Sequence, residues 1–122
     1  MRQDAIAYIH QTLTPLVPAT ADWHDAGKDV DVQTQLTQRR PWVKLYMPSE
    51  EGDRHPIETY LVTIDCAAIA AETARALADT IRAGLRRDRR NPSAWRRLRV
   101  VGLSEGNFYR VQLSFRVQRP AL

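Results

Sequence analysis

The feature that most constrains this chain is a change of hydrophobic period within residues 58–85. From Tyr60 to Cys66 every second residue is apolar, which is the pattern of a strand with one covered face. From Ala70 to Leu85 apolar residues recur every three or four positions, which predicts a helix with one apolar stripe. Since neither element can bury its apolar side alone, the helix is predicted to fold back over the sheet that contains the strand. The polar side of the strand is predicted to face solvent or a neighbouring subunit and consists of Thr59, Thr63 and Asp65.

Weaker patterns on either side predict the remaining elements. Residues 3–13 place apolar side chains at helical spacing and predict a short N-terminal helix. The segments 29–38 (Asp29 to Gln38, DVDVQTQLTQ) and 41–47 (PWVKLYM) alternate or are rich in strand-forming residues, so they predict one or two strands. A C-terminal hairpin is predicted from residues 98–103 and 108–118, which bracket the turn sequence SEGN.

This order of elements predicts an α+β fold with the arrangement α-β-β-α-β-β. An antiparallel or mixed sheet of about four strands carries both helices on one face, and segments 14–28 and 47–56 are predicted loops. At 122 residues the chain fits a single domain, residues 1–122. Asp4 and His10 interrupt the apolar positions of the N-terminal segment, so neither a signal peptide nor a membrane span is predicted there, and we expect no membrane partner.

No residues have the spacing of a catalytic or metal site. Cys66 is the only cysteine and is predicted to be a buried thiol, which disfavours a hydrolase that pairs it with His24 or His55. Asp22, His24 and Asp25 could hold a metal from one loop, but the chain has neither His-x-x-x-His nor Cys-x-x-Cys spacing. We therefore expect a protein that is not an enzyme and that uses no metal or cofactor.

The distribution of charge is the strongest functional signal in the sequence. Residues 1–81 contain 7 Lys and Arg against 12 Asp and Glu, a net of −5, whereas residues 82–122 contain 11 Arg against 2 acidic residues, a net of +9. The predicted basic surface consists of eight of these arginines: Arg82, Arg86, Arg87, Arg89, Arg90, Arg96, Arg97 and Arg99. We favour contact with an acidic surface of another copy, because complementary charge sets the register between subunits. The alternative is contact with nucleic-acid phosphates, in which Trp95 could stack on a base instead of anchoring its strand.

The sequence also resembles a family, the tail terminator or tail-completion proteins of long-tailed bacteriophages and prophages. The similarity covers nearly the whole chain and rests on the runs PWVKLYM, ETYLVTIDCAA, AETARALADTIRAGL and YRVQLSFRVQ. Most of it lies in ALADTIRAGL followed by FYRVQLSFRV. The dense arginines of residues 86–99 depart from the pattern of the family.

The resemblance implies a structural role in a virion. Tail terminators form a ring, usually of six subunits, that caps the tail tube at its head-proximal end and gives the head-closure proteins a docking surface. The implied partners are other copies of the chain, the tail-tube protein and a head-closure or neck protein, with nonspecific contact to DNA in the lumen. The implied location is the virion tail, after synthesis in the host cytoplasm. Two alternatives stay open, a head-tail connector or neck protein and a small basic nucleic-acid-binding module.

Overall fold

The computed structural model describes residues 3–54, 57–86 and 95–120. The helices are α1 (Gln3–Leu13), α2 (Val32–Gln38) and α3 (Ala71–Arg86), and one 3-10 turn (Thr14–Leu16) follows α1. The strands are β1 (Asp22–His24), β2 (Trp42–Leu45), β3 (Ser49–Arg54), β4 (Ile57–Ala68), β5 (Trp95–Ser104) and β6 (Tyr109–Pro120). The fold is α+β, as the sequence predicts.

All six strands belong to one mixed sheet that is built around β4. One edge of β4 pairs antiparallel with β6 along its whole length, and the other edge pairs antiparallel with both β2 and β3. β5 lies outside β6, and β1 lies outside β2 as its parallel neighbour. The sheet therefore has two different edges, one formed by β5 and the other by β1 and β3.

Helices α1 and α3 cover one face of this sheet. Val62, Ile64 and Leu113 point toward the helices and are each 0% exposed. They belong to one apolar cluster with Ile9 of α1 and Ile81 of α3. Full burial of each such side chain stabilises the fold by about 1.5–3 kcal/mol, so this cluster is the main source of stability. We call this side the helix-covered face and the other side the open face.

The position of α3 depends on its ends and on one glycine. Glu72 lies in the first turn and Arg86 in the last. Each charge interacts favourably with the helix dipole at that end and stabilises the helix. Gly84 allows close approach to the 3-10 turn, because a Cβ atom there would lie 2.5 Å from a methyl group of Leu16. The helix that the apolar stripe predicts is therefore confirmed, with bounds that differ by about one residue.

The strand predicted for residues 29–38 is wrong, because Val32–Gln38 forms helix α2. The Asp31 carboxylate caps this helix by accepting hydrogen bonds from the backbone N–H and the hydroxyl of Thr34, at 3.2 and 2.8 Å. The helix ends at Arg39, whose φ of 55° is left-handed. Seven residues are two turns, too few for the spacing of apolar residues to separate a helix from a strand.

The sheet has six strands where the sequence predicts about four, so the order of elements also differs from the prediction. The additional strands β1 and β3 lie in segments predicted to be loops. β3 has the sequence SEEGDR and shows no apolar alternation, since it is held through its main chain by β4. The C-terminal hairpin is confirmed, and the Glu105 N–H donates to the Phe108 carbonyl at 2.9 Å across its turn.

Candidate functional site

The structure places five arginines of the predicted basic surface in two elements. Arg82 and Arg86 lie in the last turns of α3, and Arg96, Arg97 and Arg99 lie on β5. The other three are outside the described residues: Arg87, Arg89 and Arg90. The structure therefore shows two parts of the basic surface, one on α3 and one on β5, the outer strand of the sheet.

β5 presents its three arginines on both sides of the sheet. Arg96 is paired with Arg116 and Arg99 with Ser114, so both belong to the open face, whereas Arg97 is paired with the inward-facing Phe115. All three arginines of β5 are exposed, and none makes a hydrogen bond or an ion pair with any other described residue. We call these three residues of β5 the basic edge.

Arg82 differs from the arginines of the basic edge. Its side chain is only 19% exposed, and its Nη1 atom lies 3.6 Å from the Asp79 carboxylate one turn earlier in α3. It borders a groove of about 340 Å³ between α3 and β5. The groove has an apolar floor and a basic rim, formed by Arg82, Leu85, Arg86, Trp95, Arg97 and Phe115.

Trp95 anchors the start of β5, as one of the two interpretations of the sequence predicts. It is 7% exposed, and its ring packs edge-on against Phe115 with the centroids 5.8 Å apart. Its Nε1–H donates to the Tyr8 hydroxyl at 3.2 Å, which ties β5 to α1. Since Trp95 is almost fully buried, little of its ring is available for stacking on a nucleic-acid base in this conformation.

An acidic strand, β3, lies at the edge of the sheet opposite the basic edge. The sequence predicts a loop for Glu50 and Glu51, but both residues lie in β3. This strand pairs with one edge of β4, and β6 pairs with the other. Glu51 accepts two hydrogen bonds from Arg116, at 2.8 and 3.0 Å, and these bonds lower the pKa of its carboxyl. Glu50 is exposed and makes no hydrogen bond or ion pair with another described residue. We call Glu50 and Glu51 the acidic edge.

The open face contains a buried carboxylate where the sequence predicts an exposed one. Asp65 is 4% exposed and accepts hydrogen bonds from Arg110 at 3.0 Å, from Gln112 at 3.1 Å and from the Tyr46 hydroxyl. Burial, followed by the hydrogen bond to Asp65, raises the pKa of Tyr46 to about 12. The expectation that Asp65 faces solvent is wrong, because side chains from β6 and from the end of β2 cover it.

The residues of the metal alternative are engaged with other side chains. Gln35 donates to Asp22 at 3.0 Å and lies 3.3 Å from the His24 ring nitrogen, while Asp25 lies 2.9 Å from the His10 ring. Within residues 3–54, 57–86 and 95–120, no three His, Cys, Asp or Glu side chains converge as metal ligands would. These contacts stabilise the connection between α1 and β2.

The predicted state of Cys66 is confirmed. It is a free thiol, 0% exposed, on the helix-covered face of β4. Burial, with a smaller contribution from the charge of Asp65, raises the pKa of the thiol to about 12. A thiol in this state is protonated at neutral pH and is a poor nucleophile.

Comparison with known proteins assigns the chain to no family. No protein-family model and no curated protein matches the sequence. None of the helices described here is long and apolar enough to span a membrane. We therefore infer function from the surfaces described above and from the resemblance seen in the sequence.

Proposed function

We propose that this protein is a structural subunit of a virion, a tail terminator that assembles as a ring on the head-proximal end of the tail tube. The observation that carries the proposal is the basic edge. Arg96, Arg97 and Arg99 project from a strand of a rigid sheet and have no acidic partner among the described residues. Guanidinium groups held in this way are suited to bind the carboxylates of another macromolecule. In this proposal the protein acts by assembly and performs no catalysis.

The distribution of the basic edge over two faces favours a protein partner over a nucleic acid. Arg96 and Arg99 belong to the open face, and Arg97 belongs to the helix-covered side. A duplex that lies on one face contacts the charges of that face, whereas a protein that meets the strand edge-on contacts both sets. The burial of Trp95 further weakens the nucleic-acid alternative, because it removes the aromatic ring that a base would stack on.

A ring follows from contacts between unlike surfaces. When a surface of one copy binds a different surface of the next, the copies close into a ring if the rotation between them fits. The net charges of −5 for residues 1–81 and +9 for residues 82–122 favour such head-to-tail contacts. From the family resemblance we take a ring of six subunits, with the tail-tube protein on one side and a head-closure or neck protein on the other. Arginines outside the subunit contacts then face the lumen, where weak nonspecific contact with the passing DNA suffices.

Native mass spectrometry and negative-stain electron microscopy of the purified full chain test ring formation. We expect a closed oligomer of one stoichiometry at low salt, and partial dissociation at high salt because charges contribute to the contact. A strictly monomeric protein at high concentration and low salt would contradict the proposal.

Immunogold labelling of virions tests the place of the ring. Antibodies against this chain are expected to label the junction of head and tail, and also the corresponding end of tails that have no head. A neck protein would label complete virions but leave headless tails unlabelled, and absence of label from virions would exclude both roles.

A salt titration of DNA binding tests the nucleic-acid alternative. That alternative requires affinity for a labelled duplex to fall steeply with salt, and requires replacement of Arg86, Arg87, Arg89 and Arg90 by Ala to reduce the slope. Our proposal expects weak binding and a small slope for the wild-type chain at physiological salt.

A further inference from the structure

We infer that the groove between α3 and β5 binds a short acidic segment of a partner protein. An apolar side chain of that segment lies on the floor of the groove, and its carboxylates lie against the arginines of the rim. The site is formed by a single chain on its helix-covered side, so it goes beyond the proposed function and does not depend on ring closure.

The groove exists because α3 covers β6 but leaves the same face of β5 exposed. On β6 the inward-facing Phe115, Leu113 and Val111 are 3%, 0% and 5% exposed. Their partners on β5 are all exposed, and these are Arg97, Val100 and Gly102. One step across the sheet therefore changes this face from core to solvent, and the side of α3 forms the wall of the groove.

Two cavities that share Arg82 form the groove. One is the cavity of about 340 Å³ described above, and the other, of about 260 Å³, continues along α3 toward its first turns. Because a helix rises about 1.5 Å per residue, the wall from Arg75 to Arg86 is about 16 Å long. An extended chain of about five residues has the same length. The groove therefore fits a short peptide segment.

The floor of the smaller cavity is apolar. Ala78 and Val111 are 2% and 5% exposed, and Val100 beside them is 40% exposed. The cavity is large enough for one aliphatic side chain, such as that of leucine. A side chain placed there covers apolar surface that water contacts in the single chain, which favours binding.

Tyr109 and Arg75 close the end of the groove that is nearest the first turns of α3. The Tyr109 hydroxyl lies over Gly102, where a Cβ atom would clash with it. The Arg75 guanidinium lies 5.1 Å from the centre of the Tyr109 ring, and this cation–π contact holds the arginine beside the groove. A bound segment therefore meets a positioned positive charge at this end.

The rim of the groove is basic, and one of its arginines has unused donors. Arg75, Arg82 and Arg86 line the groove from α3, and Arg97 lines it from β5. The acidic side chain of the lining, Asp79, is 74% exposed and lies 3.6 Å from the Arg82 Nη1 atom, whereas a charge-assisted hydrogen bond is about 2.7–2.9 Å long. The Arg82 Nε atom is buried and has no hydrogen-bond partner among the described residues. Arg82 therefore has donors available for the carboxylate of a partner.

The floor and the rim together favour an acidic peptide over a nucleic acid. Guanidinium groups bind carboxylates and phosphates alike, so the rim alone does not separate the two partners. The apolar floor separates them, because a peptide can place an apolar side chain between its carboxylates, whereas sugar and phosphate groups are polar. A base would need an exposed aromatic ring to stack on, and Trp95 is buried.

Fluorescence anisotropy with a labelled peptide tests the site. The probe has one leucine between two pairs of glutamates and is titrated with the purified full chain. We expect saturable binding that weakens at least about fivefold when alanine replaces the leucine, and at least about tenfold when glutamine replaces the glutamates.

Three results of this titration would overturn the inference. They are no binding of the probe, equal binding of its alanine form, and tighter binding of a labelled single-stranded oligonucleotide of the same charge. Native mass spectra of the same samples report ring formation separately, so any of these results leaves the proposed function standing.

Two arginine substitutions on β5 show whether the peptide uses the groove or only the net charge. Arg97→Gln removes a charge from the rim, and the matched control Arg99→Gln removes one from the open face of the same strand. We expect Arg97→Gln to weaken binding at least about fivefold and Arg99→Gln to change it less than about twofold. Equal losses would overturn the inference.

Asp79→Asn should strengthen binding, which damage to the fold would not do. The change removes the carboxylate that competes for Arg82, and we expect about threefold to tenfold tighter binding at low salt. Glu50→Gln at the acidic edge is the control, since it makes the same change of net charge at the opposite edge of the sheet. Binding that is unchanged or weaker in Asp79→Asn would overturn the inference.

Alkylation of an engineered thiol shows where the peptide lies. Val100→Cys places a thiol on the floor of the groove, and the control Arg99→Cys places one on the open face beside it. The native Cys66 is buried and protonated, so it does not compete for the reagent. Saturating peptide should slow the reaction of Val100→Cys with iodoacetamide at least about fivefold and leave Arg99→Cys unchanged. Equal protection of both thiols, or of neither, would overturn the inference.

Discussion

Replacement of Asp65 by Ala gives the sharpest test of the open face. The sequence pattern puts this carboxylate on the polar side of β4, where a substitution changes stability by no more than about 0.5 kcal/mol. In the structure Asp65 is 4% exposed and accepts hydrogen bonds from Tyr46, Arg110 and Gln112. The two descriptions therefore predict different free energies of unfolding for the same variant.

The expected loss follows from the three donors. A hydrogen bond to a charged group contributes about 1.5–3 kcal/mol when its partners are shielded from water. Here two donors can turn to water after the change, because Tyr46 is 39% exposed and the Arg110 side chain 26% exposed. Arg110 also keeps its contact with Glu105 at 2.7 Å. We therefore expect Asp65→Ala to lower the free energy of unfolding by about 2–4 kcal/mol, less than the sum of three buried bonds.

Urea unfolding followed by tryptophan fluorescence measures this loss, with all variants at one protein concentration because any self-association would add stability. Glu105→Ala is the matched control, since it removes an exposed carboxylate from the same guanidinium group and should cost less than about 1 kcal/mol. A double-mutant cycle between Asp65→Ala and Tyr46→Phe should give a coupling of about 1 kcal/mol. A loss below about 1 kcal/mol for Asp65→Ala would refute the argument that this carboxylate is buried.

Three further predictions concern the core, the loop contacts and the thiol. Ile81→Asp should prevent folding, because it buries an unpaired charge at a position that is 0% exposed. The control, Thr73→Asp on the exposed face of α3, should change the free energy of unfolding by less than about 0.5 kcal/mol. Circular dichroism spectra and thermal unfolding of the two variants distinguish these outcomes. The hydrogen bond from Gln35, followed by the contact with Arg40, holds the pKa of Asp22 below its ordinary value of 3.8. This carboxylate therefore stabilises the fold above that pH, and the stabilisation disappears as the pH falls through the lowered pKa; urea titrations should show Asp22→Asn less stable than wild type at pH 7 and the gap narrowing in acid. Cys66 should react with an aromatic disulfide reagent at pH 8 at least about a hundredfold faster in urea than in the native state, since both burial and the raised pKa protect it; equal rates would contradict the buried position.

Where the sequence predicts an element correctly, the element buries one side in the core. The periodicity of residues 3–13, and the alternation of β4 and β6, follow from contact with one apolar cluster. The pattern of apolar residues in these segments records which side is covered, and so it predicts both the type of element and its face.

The elements that the sequence misses are held by other forces. α2 depends on the capping carboxylate of Asp31 and on the left-handed residue Arg39, and both act over one turn. The Asp31 to Thr34 spacing is the signal that could have identified this helix. β3 has the sequence SEEGDR, without an apolar side chain, and β4 engages it through its main chain, so hydropathy carries no sign of it.

The candidate surface is predictable in composition but not in arrangement. The count of arginines is enough to predict a basic surface, and the exposure of Arg96, Arg97 and Arg99 agrees with it. The spacing of Asp79 and Arg82 on the predicted helix could have indicated their contact, because side chains three residues apart on a helix are neighbours. No local pattern shows that Asp65 is covered by side chains from strands distant in sequence. That feature depends on the order of the strands, which the sequence predicts only in part.

Because β4 is paired along both edges and β5 along one, hydrogen exchange in these two strands reports two different properties, the stability of the whole subunit and the local opening of an edge. β4 has a neighbour along both edges, so its amide hydrogens can exchange with solvent deuterium only when the whole fold opens. The amides of β5 that point away from β6 exchange through local fluctuations as long as that edge is unpaired. Exchange in β5 therefore reports the local opening of this edge, while exchange in β4 reports the stability of the subunit itself.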